Sequence, residues 1–450
     1  MNKTNVIFLT DLEHSAPRIS NFITNVKNNS NYKVSIIGSN YSEKLSSNDL
    51  PNDFEKNIQL FLFKRNFDLV YLLSNLYKNF FFKHKYNHKH NHDINNNYIE
   101  LKYINSIAYK FKKRFIIFFL SLYLPDQYII QLYKYYNSFK VNFKNSSDKV
   151  ILISSSPYPT THIACSIIKN NFPNINIFWI ADYRDLWSLN HNYQFSNFRN
   201  ILDSKIEKFF LKNTDLITTV SQPWSDKISF FLNKKSIVIP NGYSNIETIT
   251  TAKIIKEKSD FTYFLHVGSI YYKKQDINFL FKSLSILSSN HQNLKIELHF
   301  SGEYSEQLET LIKKYNINHF VKQIGKYTRN DSIAIQREYD FLFYFDWIDD
   351  EGVLPLKFYE YIYANKPIIS IGYSPESSTG KILTKLNRGV YLKTEEEIFL
   401  FFKDIEFRKK IINNLSFNQN SNKEYSFTHQ SNLFLNILND ITNGRLSKSI

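Results

Sequence analysis

Two carboxylates and a guanidinium crowd into one short stretch, WIADYRDLWS, between Trp179 and Ser188. An apolar run leads into them, so Asp182, Arg184 and Asp185 follow a buried strand. Side chains placed there can project into a cleft and grip the hydroxyl groups of a polar ligand. The same charges could instead pair with one another and only shape the loop. His162, within SSSPYPTTHIA from Ser154 to Ala164, holds the matching place in the preceding loop. Asp182, Arg184, Asp185 and His162 form the candidate catalytic set.

A second constellation lies further along. Of the ten glycines, eight fall between positions 242 and 389. Gly268, Gly302 and Gly325 each follow the end of an apolar run. That is where open parallel sheets bind ligands and where a missing side chain lets backbone N–H groups approach a phosphate. In LHVGSIYYKKQD, Gly268 is followed by Lys273 and Lys274 ahead of a helix start. Backbone donors, a helix N-terminus and two lysines can converge there on a diphosphate. In EGVLPLKFYEYIYANKPIIS, Lys357 and Glu360 share a helical segment.

These groups must be held by strands. Short apolar runs at 6–9, 33–37, 58–63, 150–153, 175–180 and 216–220 are mostly separated by helix-length intervals. The pattern recurs at 262–267, 295–300, 321–324, 341–345 and 367–371. Continuous apolar strands alternating with helices indicate parallel βαβ units covered on both faces. At 450 residues the chain exceeds one ordinary core and suits two. The expected organisation is a Rossmann-like domain over 1–245 and a second, nucleotide-binding domain over 258–424, facing each other across a cleft. The polar stretch SNIETITTAKIIKEKSD separates them, and 425–450 forms a helix returning toward the first domain.

Several chemistries lack their signals. No phosphate-binding GxxxxGK[ST] loop, dinucleotide GxGxxG fingerprint or HExxH pair is present. One cysteine, Cys165, leaves no disulfide framework or cysteine-rich zinc site and suits a reducing compartment. No apolar run is long enough to span a bilayer, the longest being Phe115 to Leu124, and the N-terminus lacks a signal-peptide pattern. A cytoplasmic location is therefore expected. The formal charge of +15 suggests an anionic partner, although a bias toward Lys and Asn across the whole chain could account for part of it.

The motifs together resemble the retaining glycosyltransferases of family 4, and within them a bacterial subgroup acting on surface polysaccharides. The similarity runs from about 150 to 392 and is carried by WIADYRDLWS, DLITTVSQPWSDKI, IVIPNGY, LHVGSIYYKKQD and EGVLPLKFYEYIYANKPIIS. The resemblance implies the GT-B fold, two Rossmann-like doubly wound α/β domains with acceptor on the first and nucleotide-sugar donor on the second. It implies donor contacts from Gly268, Lys273, Lys274, Gly302, Gly325, Lys357 and Glu360, with Glu360 on the ribose. Family members commonly carry Arg after the first glycine, where this chain has Ser269, and a Glu eight residues before Glu360, where it has Gly352 with Glu351 one place out of register. The expected partners are a nucleotide-sugar, a lipid-linked or oligosaccharide acceptor and an anionic membrane surface, with no cofactor, metal or nucleic acid. A nucleotide-sugar 2-epimerase on the same fold and a basic nucleic-acid-binding protein are the alternatives.

Between Tyr77 and Tyr136 the chain is crowded with Phe, Tyr, Lys and Arg, including KFKKRFIIFFLSLYLPD from Lys110. Such a segment can lie among lipid headgroups or pack as a buried helical hairpin. The tract HKYNHKHNH at 84–92 reads as a polar low-complexity loop that could bind metal.

Overall fold

In the computed structural model, the residues described are 3–12, 17–39, 54–64, 119–155, 157–244, 260–272, 274–291, 293–348, 351–371 and 375–446. Lys273, the interdomain stretch 245–259, the histidine tract and the Lys110 to Arg114 cluster lie outside them.

The first part of the chain runs β1 (Thr4–Leu9), α1 (Arg18–Lys27), β2 (Tyr32–Ser39), β3 (Ile58–Phe63), α2 (Leu132–Phe143) and β4 (Val150–Ser155). It continues with α3 (Thr160–Asn171), β5 (Ile177–Tyr183), α4 (Asn197–Leu211), β6 (Leu216–Thr219), α5 (Gln222–Leu232) and β7 (Ser236–Val238). Its seven strands form one parallel sheet in the order β3-β2-β1-β4-β5-β6-β7. The central strands β1, β4 and β5 are buried throughout, as their uninterrupted apolar runs require of a sheet covered on both faces.

The second part runs β8 (Thr262–Val267), α6 (Asn278–Asn290), β9 (Ile296–Ser301), α7 (Glu306–Lys314), β10 (Val321–Gly325), α8 (Arg329–Gln336) and β11 (Phe341–Tyr344). Then follow α9 (Leu356–Ala364), β12 (Ile368–Ile371), α10 (Ser378–Leu386), β13 (Gly389–Leu392), α11 (Glu395–Lys403) and α12 (Ile405–Asn413). These six strands form a second parallel sheet, β10-β9-β8-β11-β12-β13. In both sheets the order reverses beside the first strand, and the crevice at that switch point is the natural ligand position. Two parallel-sheet Rossmann-like units make the GT-B architecture.

The chain then returns. The last helix, α13 (Phe427–Thr442), packs on α1, with the Phe434 and Phe22 rings stacked at 4.6 Å. Phe434, Leu438 and Ile441 join the same apolar cluster as Val6, Phe8 and Ile19 of the first sheet. Just before it, Tyr243 N–H donates to the Tyr425 carbonyl and Phe427 N–H to that of Tyr243, which ties the crossing chain to the exit of the first sheet.

Candidate active site

A cleft of about 490 Å³ lies between the two sheets at their C-terminal ends. The first domain supplies Arg184, Asp185 and the loop carrying Asn190, His191, Asn192 and Gln194; the second supplies Tyr271, Gln275, Trp347 and the segment Val353 to Lys357. Aromatic rings bridge the cleft: His191 meets Trp347 edge-on at 4.7 Å, and Tyr271 lies 4.8 Å from the same indole. Trp347 and Val353, although in the second half of the chain, join the apolar core of the first domain.

Of the sequence-derived catalytic set, Arg184 and Asp185 line this cleft, with Arg184 Nε 3.7 Å from Asp185 Oδ2. Asp182 does not project into it. Its carboxylate is fully buried and accepts from Arg18 Nη2 at 3.0 Å, Arg18 Nε at 3.3 Å, Ser155 Oγ at 3.1 Å and Thr218 Oγ1 at 2.8 Å. Arg18 also donates to the carbonyls of Ile239 and Pro240. This ion pair knots α1, three strands and the exit of the first domain together; its work is structural. Adjacent positions on a strand face opposite sides, and a residue still within β5, as Asp182 is, remains in the sheet.

His162 is likewise a core residue. It is fully buried, with Nδ1 2.7 Å from Ser154 Oγ and its ring stacked on Tyr183 at 4.8 Å. Burial lowers its pKa to about 4, so at neutral pH it carries no charge.

The first-domain loop that lines the cleft is held from behind by a buried polar stripe on α4. Glu207 accepts from Ser188 N–H at 3.0 Å and from Tyr183 Oη at 2.8 Å. Asp203 accepts from Tyr193 Oη at 2.6 Å and Arg199 Nε at 3.0 Å. Arg199 donates further to the carbonyls of Ser121, Tyr123 and Pro125. Steps of four along one helix aim all three side chains inward, where Arg199, Glu207 and one oxygen of Asp203 find polar partners.

In the second domain, Gly268, Gly302 and Gly325 end the neighbouring strands β8, β9 and β10. Their N–H groups are only partly available for a phosphate, since Gly268 N–H donates to the Ser301 carbonyl and Gly302 N–H to that of Gly325. What the glycines provide is close approach. A Cβ on Gly302 would lie 3.2 Å from the Gly268 carbonyl oxygen, and one on Gly268 would touch Lys357 at 3.7 Å. Lys357 stands in the first turn of α9, whose N-terminus carries no side-chain cap and opens on the cleft. That turn and the ammonium together could hold an anion. Burial lowers Lys357 to about 8.

Beneath Lys357 lies His266, unforeseen in the sequence. Its Nδ1 lies 3.1 Å from the Phe343 carbonyl, to which it donates, leaving Nε2 as an acceptor 3.4 Å from Lys357 Nζ. Burial, then the lysine charge, holds His266 well below the ordinary histidine range. Glu360, one turn after Lys357, is buried to 7% exposure and accepts from Arg329 Nε at 3.2 Å. Arg329, the first residue of α8, was also unforeseen; nothing in its own neighbourhood of sequence marks it. Lys274 is half-buried and outside the cleft lining, its carbonyl accepting from Ile348 N–H. Among the described residues no group of three or more His, Cys, Asp or Glu could hold a metal ion.

Gly352 explains the departure from the expected Glu. Its φ is +92°, and an added Cβ would lie 2.6 Å from Ser221 Oγ and 2.8 Å from Trp224 Cδ1. The loop before α9 is thus pressed against the first domain, and a side chain would hold the two apart.

Residues 247–415 match the family model of glycosyl transferases group 1. The match covers Gly268, Gly302, Gly325, Lys357 and Glu360. The chain is a glycosyltransferase. Structural comparison agrees at the level of fold: a glycosyltransferase from Rickettsia africae superposes with a TM-score of 0.52 at 12% identity, covering 98% of this chain and 99% of that one. Anabaena HepE in complex with UDP gives 0.52 at 10% identity, covering 98% and 100%. A UDP-N-acetylglucosamine 2-epimerase gives 0.51 at 13%, covering 100% and 99%. A sequence search of curated proteins finds no match. Among the described residues of this glycosyltransferase, no helix is long and apolar enough to cross a membrane.

Proposed function

We propose that this glycosyltransferase moves a sugar from a nucleotide-diphosphate donor on the second domain to a lipid-linked glycan acceptor on the first, during synthesis of a cell-surface polysaccharide. The observation that carries the donor assignment is the convergence of Lys357, the open N-terminus of α9 and the closely stacked glycines within the segment that matches the family model. In this reading Lys357 and the helix N-terminus take the diphosphate. Glu360, positioned by Arg329, accepts from the ribose hydroxyls. The chain's own cations, rather than a metal, meet the charge of the leaving group.

The step breaks the bond between the anomeric carbon and the diphosphate oxygen and forms one from that carbon to an acceptor hydroxyl oxygen. The acceptor proton passes to the departing diphosphate, whose growing charge Lys357 stabilises. Arg184 and Asp185 orient the acceptor, while the aromatic bridge of His191, Trp347 and Tyr271 excludes water that would hydrolyse the donor. Retention of anomeric configuration follows from the resemblance of the motifs to family 4. A screen of nucleotide-sugars for thermal stabilisation, followed by calorimetry with Glu360→Gln, tests the donor site. Stabilisation by no nucleotide-sugar, or unchanged affinity in that variant, would overturn it.

A further inference from the structure

The acidic residues of α4 all point inward, which leaves its outer face unusual. That face carries Phe198, Ile201, Lys205, Lys208, Phe209 and Lys212, at the three- and four-residue spacing of a single helical stripe. Phe198 is 71% exposed, Ile201 54% and Phe209 60%. The neighbouring α5 continues the pattern: Phe230 is 92% exposed, with Lys227 exposed before it and Lys235 just beyond the helix end. Lys208 Nζ lies 4.5 Å from the Phe231 ring and joins the two helices into one surface; Lys212 Nζ lies 4.7 Å from the Phe209 ring. No carboxylate of α4 belongs to this face, because Asp203 and Glu207 are buried against the acceptor loop. The exposed Asp226 of α5 lies one turn before Phe230, where Gln222 donates to it.

We propose that the outer faces of α4 and α5 dock this enzyme on an anionic lipid bilayer. Lysines flanking exposed phenylalanine and isoleucine match a headgroup layer, the charges meeting anionic lipid phosphates and the apolar side chains reaching the acyl boundary. The helix that would touch lipid on one side holds the acceptor loop on the other, through Ser188 and Tyr193. Docking therefore brings the acceptor side of the cleft to the membrane. This rests on the reading of a lipid-linked acceptor, and it assigns the contact to side chains other than Lys110, Lys112, Lys113 and Arg114.

Vesicle sedimentation of the full chain tests it, with vesicles of phosphatidylcholine alone or mixed equally with phosphatidylglycerol. Binding should appear only with the mixed vesicles and weaken with salt. Lys205→Gln, Lys208→Gln and Lys212→Gln together should lower partitioning about 100-fold, from about five-fold per lysine. Phe209→Ser with Phe230→Ser should lower it at least about ten-fold while leaving the melting temperature unchanged. The proposal is overturned if the unaltered chain ignores both kinds of vesicle, or if both variants bind normally while Lys110→Gln, Lys112→Gln, Lys113→Gln and Arg114→Gln together abolish binding. Preferential binding of a single-stranded oligonucleotide over mixed vesicles, lost with the same lysines, would also overturn it. Intact vesicle binding without turnover of any nucleotide-sugar would instead count against the transferase reading alone.

Discussion

Replacing Asp182 by Asn separates a structural from a catalytic role. The amide keeps the shape of the carboxylate, but its single oxygen can accept from only one of Thr218 and Ser155, and it leaves the Arg18 guanidinium buried without a counter-charge. Removing one partner of a fully buried ion pair costs about 3–5 kcal/mol, and nothing at this site offers water to offset the loss, both side chains being at most 1% exposed. Asp182→Asn should therefore destabilise the first domain by that amount in urea unfolding, followed through the fluorescence of Trp179, which lies buried in the same strand. The fraction that remains folded should turn over donor normally. Pairing the change with Arg18→Met removes the orphaned charge and should recover most of the loss, which a double-mutant cycle reads directly. A loss below about 1 kcal/mol together with abolished turnover would refute the reasoning and return Asp182 to the chemistry.

Glu360→Gln should weaken nucleotide-sugar binding by roughly 1.5–3 kcal/mol in calorimetry without unfolding the second domain, since one charged acceptor for the ribose is lost. Lys357 sets the pH dependence of that affinity. With its pKa lowered to about 8 in the free enzyme and raised again by a bound diphosphate, the lysine must take up a proton on binding above pH 8. The donor Kd should then rise about tenfold per pH unit above that value, stay flat below it, and lose this dependence in Lys357→Met. Gly352→Ala should cost about 1–3 kcal/mol, because the new Cβ meets Ser221 and Trp224 at a positive φ, and small-angle scattering should show the domains further apart.

The sheet strands were legible because each central one is a continuous apolar run, a pattern that only burial on both faces tolerates. The strand β13 escaped: four residues opening with glycine give too short a run to stand out. Glu360 and Lys357 could be singled out in the sequence because both fall within one local motif beside a helix start. Asp182 was misplaced for the opposite reason. Its partner Arg18 is 164 residues away, and no local pattern distinguishes a carboxylate aimed at a cleft from one sealed against a distant guanidinium. Arg329 and His266 act on Glu360 and Lys357 across 31 and 91 residues, and stayed invisible for the same reason.

The most direct test of sugar transfer is to incubate the enzyme with the nucleotide-sugar that stabilises it best and follow free nucleotide diphosphate with and without a lipid extract containing glycan acceptors. Transfer predicts slow release alone, release accelerated by the extract, and the sugar recovered in the lipid fraction. Conversion of the donor to an altered nucleotide-sugar without the extract, and with no sugar in the lipid fraction, would contradict transfer and identify an epimerase.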